Sequence, residues 1–214
     1  MNIPRVLKLL EPLHQPTMLE QLKHYTRFQL LVATLLSARS KDSTTIPIVK
    51  ELFRRYPGPR DFIELNSHKL EKLIYGVGFY RVKAKHVKEL SKILLQKFEG
   101  TVPHTLEELT SLPGVGRKTA NCLLAYSGIP AIAVDTHVHR ISNRLGWVHT
   151  KTPEETELAL QRIVPKESWS DVNRLLVDHG QRVCLPLRPK CEECAVRQYC
   201  DFGRGIGSKS SDFR

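Results

Sequence analysis

A lysine that can act as a nucleophile follows a glycine-rich turn in the stretch Leu112–Ala120, LPGVGRKTA. Residues 117–119 open a run in which apolar residues recur at helical spacing up to Ser127 and stop at Gly128, which predicts a helix with Lys118 on its first turn. A helix N-terminus offers unpaired N–H groups and a positive dipole end, and glycines let a phosphate approach the backbone. The stretch therefore predicts either a phosphate-binding turn or a plain corner between two helices, and both interpretations stay open here.

This turn does not match the phosphate-binding loop of nucleotide-hydrolysing proteins. That loop needs the spacing G-x-x-x-x-G-K-[ST] after a strand. Ser111 stands where the first glycine is required. Arg117 separates Gly116 from Lys118. Residues 105–108, TLEE, form a capping box that starts a helix, so the predicted unit is helix, hairpin, helix.

Four cysteines with the spacing C-x6-C-x2-C-x5-C stand near the end of the chain, at Cys184, Cys191, Cys194 and Cys200. Thiols clustered this closely in an intracellular protein indicate a metal site rather than disulfides. Zinc sites usually pair two short knuckles, whereas a four-iron–four-sulfur cluster accepts longer ligand spacings. The pattern favours iron–sulfur and leaves zinc open. The fifth cysteine, Cys122, lies in an apolar helical run and is predicted to be a core residue.

The charge of the chain indicates a polyanionic partner. Its 214 residues include 33 Lys and Arg against 22 Asp and Glu, a net charge of +11, which favours nucleic acid over a membrane surface. Arg188 and Lys190 lie between the first two clustered cysteines, so they either contact phosphates or are merely solvated. No apolar run is long enough to span a bilayer, and no secretory signal is evident, which predicts a cytoplasmic protein.

Helical periodicity extends along the whole chain and must supply the elements that position these residues. We expect about ten helices and almost no strands, an all-α fold. The apolar run Phe28–Leu36 predicts a buried helix that ends in a loop at residues 37–40. A second Gly-x-Gly turn, residues 76–80, precedes a long helix over 81–98. Composition alone would place Phe79, in that turn, in the core.

Three motifs in order resemble the endonuclease III family of helix-hairpin-helix DNA glycosylases: LPGVGRKTAN from Leu112, VDTH from Val134, and the four-cysteine pattern. The resemblance extends from the Phe28 helix to Cys200. It implies two domains with a DNA cleft between them: a six-helix barrel domain at 20–129, and an iron–sulfur cluster domain at 1–19 and 130–214. It also implies one 4Fe–4S cluster as cofactor. The protein would act as a monomer on double-stranded DNA that contains damaged bases or abasic sites.

The resemblance also implies catalytic roles. Lys118 matches the family's catalytic lysine, Asp135 its essential aspartate, and the four cysteines its cluster ligands. A lysine amine can attack C1′ of the deoxyribose, displace the damaged base and form a Schiff base, after which β-elimination cuts the strand on the 3′ side. Residue types alone favour an N-cap role for Asp135, which stands directly before a helix, and the two roles can coexist.

The same resemblance implies a set of DNA contacts. The hairpin grips the backbone, and two loops fill the gap that an everted base leaves. Relatives commonly carry Gln in one loop where this chain has Arg39, a departure that leaves damage preference open. In the second loop Phe79 replaces the usual Leu as an apolar wedge. The predicted DNA-binding residues are Arg39, Phe79, Leu112, Gly114, Val115, Gly116, Arg117, Arg188 and Lys190.

The predicted function is base excision repair by a bifunctional glycosylase and lyase that removes oxidised pyrimidines in a prokaryotic cytoplasm. A mismatch-specific thymine or uracil glycosylase of the same superfamily is the first alternative, but such enzymes typically lack the lysine. A non-catalytic DNA-binding module is a second alternative. It would need neither Lys118 nor Asp135, so the presence of both residues disfavours it. An iron–sulfur redox protein is disfavoured by the basic charge and by the lack of a second cofactor motif.

Overall fold

The computed structural model describes residues 2–205, which form twelve α-helices and no strand. The predicted all-α class is therefore confirmed. No helix in this part of the chain is long and apolar enough to cross a membrane. In chain order the helices are α1 (Ile3–Leu10), α2 (Met18–Gln21), α3 (Arg27–Ser37), α4 (Asp42–Arg55), α5 (Pro59–Glu64), α6 (Ser67–Leu73), α7 (Tyr80–Lys97), α8 (Leu106–Thr110), α9 (Arg117–Tyr126), α10 (Thr136–Arg144), α11 (Pro153–Ile163) and α12 (Trp169–Arg182).

The described residues divide into two compact units. The first is Met18–Ser127 and holds α2 to α9. The second combines the residues up to Thr17 with those from Gly128 onward, and holds α1 and α10 to α12. The predicted hairpin and the predicted cysteine site therefore belong to different units.

Helix α3 lies at the centre of the first unit because it is apolar on nearly every side. Nine of its 11 residues are buried. Its start is fixed by a capping box that the sequence analysis missed, in which Thr26 and Gln29 each bond to the other's backbone N–H. The ring of Phe62 packs edge-on against Phe28 and Phe53, with centroids 5.6 and 6.1 Å away. This packing anchors the start of α3 against α4 and α5.

The predicted helix–hairpin–helix is formed by α8 and α9. Thr105 caps α8 and accepts a 3.2 Å hydrogen bond from the backbone N–H of Glu108. Helix α9 begins where the sequence predicted, at the residues that open the apolar run. Gly116 takes an extended conformation as N-cap, with φ −85° and ψ 170°, and the helix begins directly after it at Arg117. Lys118 is thus the second helical residue, still on the first turn.

The second unit has its own apolar core, to which α1, α10, α11 and α12 each contribute. Val6, Val138, Leu160 and Leu176 are completely buried there. Helix α11 has a local cap: Thr152 accepts a hydrogen bond from the N–H of Glu155, and proline occupies the first helical position. Beyond α12 the described chain forms only turns and short 3-10 segments. The cysteines therefore lie in a segment with no α-helix of its own.

Candidate functional site

The hairpin Leu112–Gly116 is held by side chains that point into the first unit. Leu112 and Val115 are 2% and 4% exposed. A turn hydrogen bond of 3.1 Å from the Val115 N–H to the Leu112 carbonyl closes the loop between them. Because both side chains are buried, any ligand contact from these two residues must come from their backbone.

The two hairpin glycines meet different requirements. Gly114 has φ +75°, and a Cβ there would lie 2.5 Å from Nδ1 of His86 on α7. A residue with a side chain would therefore be strained in its backbone and would clash with His86. A Cβ at Gly116, by contrast, would meet no atom within 4 Å. The space in front of the α9 N-terminus is open to a ligand.

Lys118 is exposed on the first turn of α9, next to exposed Arg117. Asp42, on the first turn of α4, interacts electrostatically with it. Burial raises the pKa of the half-buried Asp42 carboxyl, and the positive charge of Lys118 opposes that shift. Asp42 is not among the site residues predicted from the sequence. Its relation to Lys118 had no sequence signal, since 76 positions separate the two.

Asp135 is the N-cap of α10, the structural alternative that the residue types had suggested. Its Oδ1 accepts hydrogen bonds of 2.9 Å from the N–H groups of both His137 and Val138. The cap therefore uses one carboxylate oxygen and does not by itself exclude a second role for the other.

The four clustered cysteines line one cavity in the second unit, together with apolar residues such as Ile141 and Leu145. Burial raises the pKa of the Cys194 and Cys200 thiols, and the neighbouring cysteines raise it further. No group of three or more His, Cys, Asp or Glu in the described residues is arranged to hold a single metal ion. The thiols are nevertheless close enough to influence one another's ionisation. Cys122 is buried in α9 of the other unit, as predicted.

Hydrogen-bond donors point at the sulfurs of this cavity. The Arg144 guanidinium donates to Cys184 Sγ at 3.3 Å, and the Gly203 N–H donates to Cys200 Sγ at 3.3 Å. Donors of this kind stabilise thiolates, the form in which cysteine binds a metal. The donor set therefore fits a group held by four cysteine thiolates.

Two arginines of α10 hold the chain where it leaves α12. Arg140 donates to the carbonyls of Gly180 and Cys184 at 3.2 and 2.8 Å. Arg144 donates to the carbonyls of Leu185 and Pro186 at 2.7 and 2.8 Å. The loop that follows carries Arg188 and Lys190, both exposed, and Arg188 has φ +52°. The structure thus fixes the base of this loop and leaves its two predicted phosphate contacts accessible.

The structure brings together Arg39 and Phe79, which are 40 positions apart in the sequence. The Arg39 guanidinium lies over the Phe79 ring at 5.7 Å from its centroid, a cation–π contact. Phe79 is 62% exposed. An exposed phenylalanine paired with an exposed arginine contradicts the core position that composition favoured, and fits the wedge implied by the family resemblance.

Comparison with known proteins places these features in a family context. Residues 32–166 match the model of the HhH-GPD superfamily of base excision DNA repair proteins. The chain is 49% identical to Endonuclease III of Thermotoga maritima over 182 residues, 84% of this chain and 85% of that protein. It is 44% identical to Endonuclease III-like protein 1 of Bos taurus over 184 residues, 84% of this chain but 60% of that longer protein.

A solved structure extends the similarity to three dimensions. It is a trapped covalent intermediate of endonuclease III with DNA, described as an estranged-adenine complex. The TM-score is 0.85 at 36% sequence identity, with 95% of this chain and 96% of that chain covered. The backbone similarity therefore spans both units of the described chain, each with its candidate residues.

Proposed function

This chain belongs to the HhH-GPD superfamily and to its endonuclease III family, and from this premise we propose how it acts in base excision repair of double-stranded DNA. It is a DNA glycosylase with abasic-site lyase activity. We assign it oxidised pyrimidines as substrates and the cytoplasm as its place of action. The observation that carries the proposal is Lys118, an exposed amine on the first turn of α9 beside the open space at Gly116.

Lys118 is the proposed nucleophile for base removal. Its neutral amine attacks C1′ of the damaged nucleotide, a C1′–Nζ bond forms, and the bond from C1′ to the base breaks. The base leaves with the bonding electron pair and takes up a proton. Loss of the amine proton and opening of the sugar ring then give a Schiff base between Lys118 and C1′.

Strand cleavage follows from the same intermediate. The positively charged imine acidifies the C2′–H bonds, so a base can remove one of these protons. The electron pair forms a C2′–C3′ double bond and expels the 3′ phosphate, which breaks the strand on the 3′ side. Water then hydrolyses the imine and releases Lys118. One lysine therefore suffices for both activities.

Asp135 is proposed to assist this reaction in addition to capping α10. A carboxylate can take a proton from the attacking amine or stabilise positive charge that develops on the sugar. Oδ1 is engaged by the two capping bonds, so we assign this role to Oδ2. The capping bonds would hold the carboxylate in one orientation.

DNA is proposed to bind through three exposed features. The backbone of the hairpin, from Gly114 to Gly116, and the N-terminus of α9 face a phosphate, with Arg117 beside them. Arg39 and Phe79 enter the gap left by the everted base. Arg188 and Lys190 contribute further phosphate contacts. Most of this binding free energy should be electrostatic and weaken with salt.

The four cysteines are proposed to hold one 4Fe–4S cluster. The apolar cavity that they share and the donors directed at two of the sulfurs support this assignment. When bound, the cluster would link four points of the chain between Cys184 and Cys200 and so fix the loop that carries Arg188 and Lys190. It supplies no group to the base-removal step proposed above.

Trapping with sodium borohydride tests the proposed nucleophile. On a duplex with one abasic site, borohydride reduces the Schiff base to a stable covalent adduct. We expect an adduct with the wild-type protein and none with Lys118→Gln, while Lys92→Gln, which changes another exposed helical lysine, forms it normally. Absence of the adduct in the wild type would overturn the lyase mechanism. A panel of thymine glycol, uracil and thymine-mismatch duplexes would decide between oxidised-pyrimidine and mismatch specificity.

A further inference from the structure

Two loops of the first unit, here called the wedge loops, carry the Arg39–Phe79 pair. The first is residues 38–40, between α3 and α4, and the second is residues 76–79, before α7. Arg39 has φ +55° and Phe79 has φ +58°, a left-handed conformation that side chains other than glycine seldom adopt. Strained residues of this kind persist only where their surroundings hold them in place.

The wedge loops are joined by a hydrogen bond from a backbone N–H to a side-chain hydroxyl and by a close approach of their backbones. The Gly78 N–H donates to Ser40 Oγ at 3.0 Å. A Cβ at Gly78 would lie 2.9 Å from the Arg39 carbonyl oxygen, so the two loops approach as closely as a glycine allows. A movement of either loop must therefore disturb the other.

A buried lysine stands behind this junction. Lys83, on the first turn of α7, is 7% exposed, although lysine is among the residue types least often buried. Its Nζ donates to the carbonyls of Leu36 and Ala38 at 2.8 and 2.5 Å, and lies 3.4 Å from Ser40 Oγ. An ammonium group has three protons to donate, one for each of these partners. All of the partners belong to the end of α3 or to the first wedge loop.

The partners of Lys83 explain why a cation is favourable at this position. Leu36 is in the last turn of α3, where carbonyls lack helical partners and the negative end of the helix dipole lies. Burial lowers the pKa of Lys83 to about 8, the desolvation cost of placing an ammonium group here. A buried ammonium group whose three partners all lie within residues 36–40 is well suited to hold that segment in place.

We propose that Lys83 is a positioning residue for base eversion: its ammonium locks the first wedge loop against the second, so that Arg39 and Phe79 enter the duplex as one preformed wedge. This inference rests on the proposed function, in which that pair fills the gap. Lys83 itself touches neither substrate nor Lys118 in this scheme. Preforming the wedge reduces the ordering cost that each eversion would otherwise carry.

Single-turnover base excision tests the proposal with one lesion in two contexts, a fully paired duplex and a small unpaired bubble. Eversion costs least where the base is not paired, so the bubble bypasses the need for the wedge. We expect Lys83→Met to slow excision about 10- to 100-fold on the paired duplex and about 3-fold or less in the bubble. A merely structural defect would slow both substrates equally, and that result would overturn the proposal.

A matched control exists on the same helix. Lys88 also donates to two backbone carbonyls, those of Ile63 at 3.1 Å and of Leu65, but these close the end of α5 and not a wedge loop. Lys88→Met should therefore keep the wild-type ratio of the two excision rates. If Lys83→Met gives the same ratio as Lys88→Met, Lys83 has no positioning role.

Two further variants keep the test decisive. Ser40→Ala removes only the hydroxyl that joins the wedge loops, so it should lower the paired-duplex rate more than the bubble rate even if Lys83→Met fails to fold.

In a Phe79→Ala background, Lys83→Met should add little to the defect on paired DNA, because both changes act through the same wedge. Full additivity, or a Ser40→Ala protein with an unchanged ratio, would contradict the proposal. If the wild-type protein excises the base but the Lys83 variants do not behave as expected, only the positioning role is refuted and the proposed function stands.

Discussion

The hairpin Leu112–Gly116 and the cysteine segment Cys184–Cys200 are both irregular stretches with functional residues, yet they are held by different forces. The hairpin connects α8 and α9, and its buried side chains Leu112 and Val115 anchor it to the core of the first unit. In the cysteine segment Val196 is buried, but Leu187 is 83% exposed, and the chain is held by arginine–carbonyl bonds and its thiols. Side-chain packing is therefore enough to fix the first stretch, whereas in the proposed function the group held by the cysteines would restrain the second.

The largest expected effect comes from removing one thiol of the cysteine segment. Cys194→Ser deletes one of four proposed ligands, and metal binding of this kind contributes directly to folding. We expect the purified protein to lose its brown colour, its bound iron and most of its soluble folded fraction. Iron analysis and visible absorbance measure the first two, and circular dichroism the third.

Cys122→Ser is the control, because this cysteine is buried in α9 of the other unit. It should keep its iron and colour even if the hydroxyl destabilises the core. A Cys194→Ser protein with full iron content would refute the ligand assignment, and with it the contrast between the two stretches.

The hairpin should respond to a change in packing instead. Leu112→Ala removes most of a side chain that is 2% exposed, and such changes cost about 2–5 kcal/mol of folding free energy. Bound iron should be unchanged. Urea unfolding followed by circular dichroism measures the loss.

Leu187→Ala gives the matching measurement in the cysteine segment. That side chain is 83% exposed, so its truncation should change the free energy of unfolding by less than about 0.5 kcal/mol. Similar losses from the two leucines would mean that apolar packing holds both stretches alike.

Asp135 should matter less for stability than Leu112 and more for the reaction. Asp135→Ala removes the cap of α10 and should cost about 1 kcal/mol. Asp135→Asn retains the cap, since asparagine caps helices as well as aspartate does, but it removes the charge. We expect Asn to leave stability nearly unchanged and to lower the single-turnover rate about 100-fold or more. A fully active Asn variant would reduce Asp135 to a cap.

Much of the fold was predictable because its signals are local. The caps at Thr105, Asp135 and Thr152 lie within three residues of the N–H groups that they bind. Helical periodicity identified α3 as buried. The start of α9 was predictable in the same way, because the glycine turn that ends at Gly116 directly precedes the helix.

Residue order by itself determined the all-helical class, the glycine turn before Lys118 and the four-cysteine pattern, because each is written in spacings of a few residues. Only the tertiary structure placed Phe79 in solvent over Arg39, set Lys83 beneath the wedge loops, and brought the charge of Asp42 to bear on Lys118. The physical reason is that burial and ion pairing depend on neighbours in space, and here those neighbours lie about 40 or more positions apart in the chain.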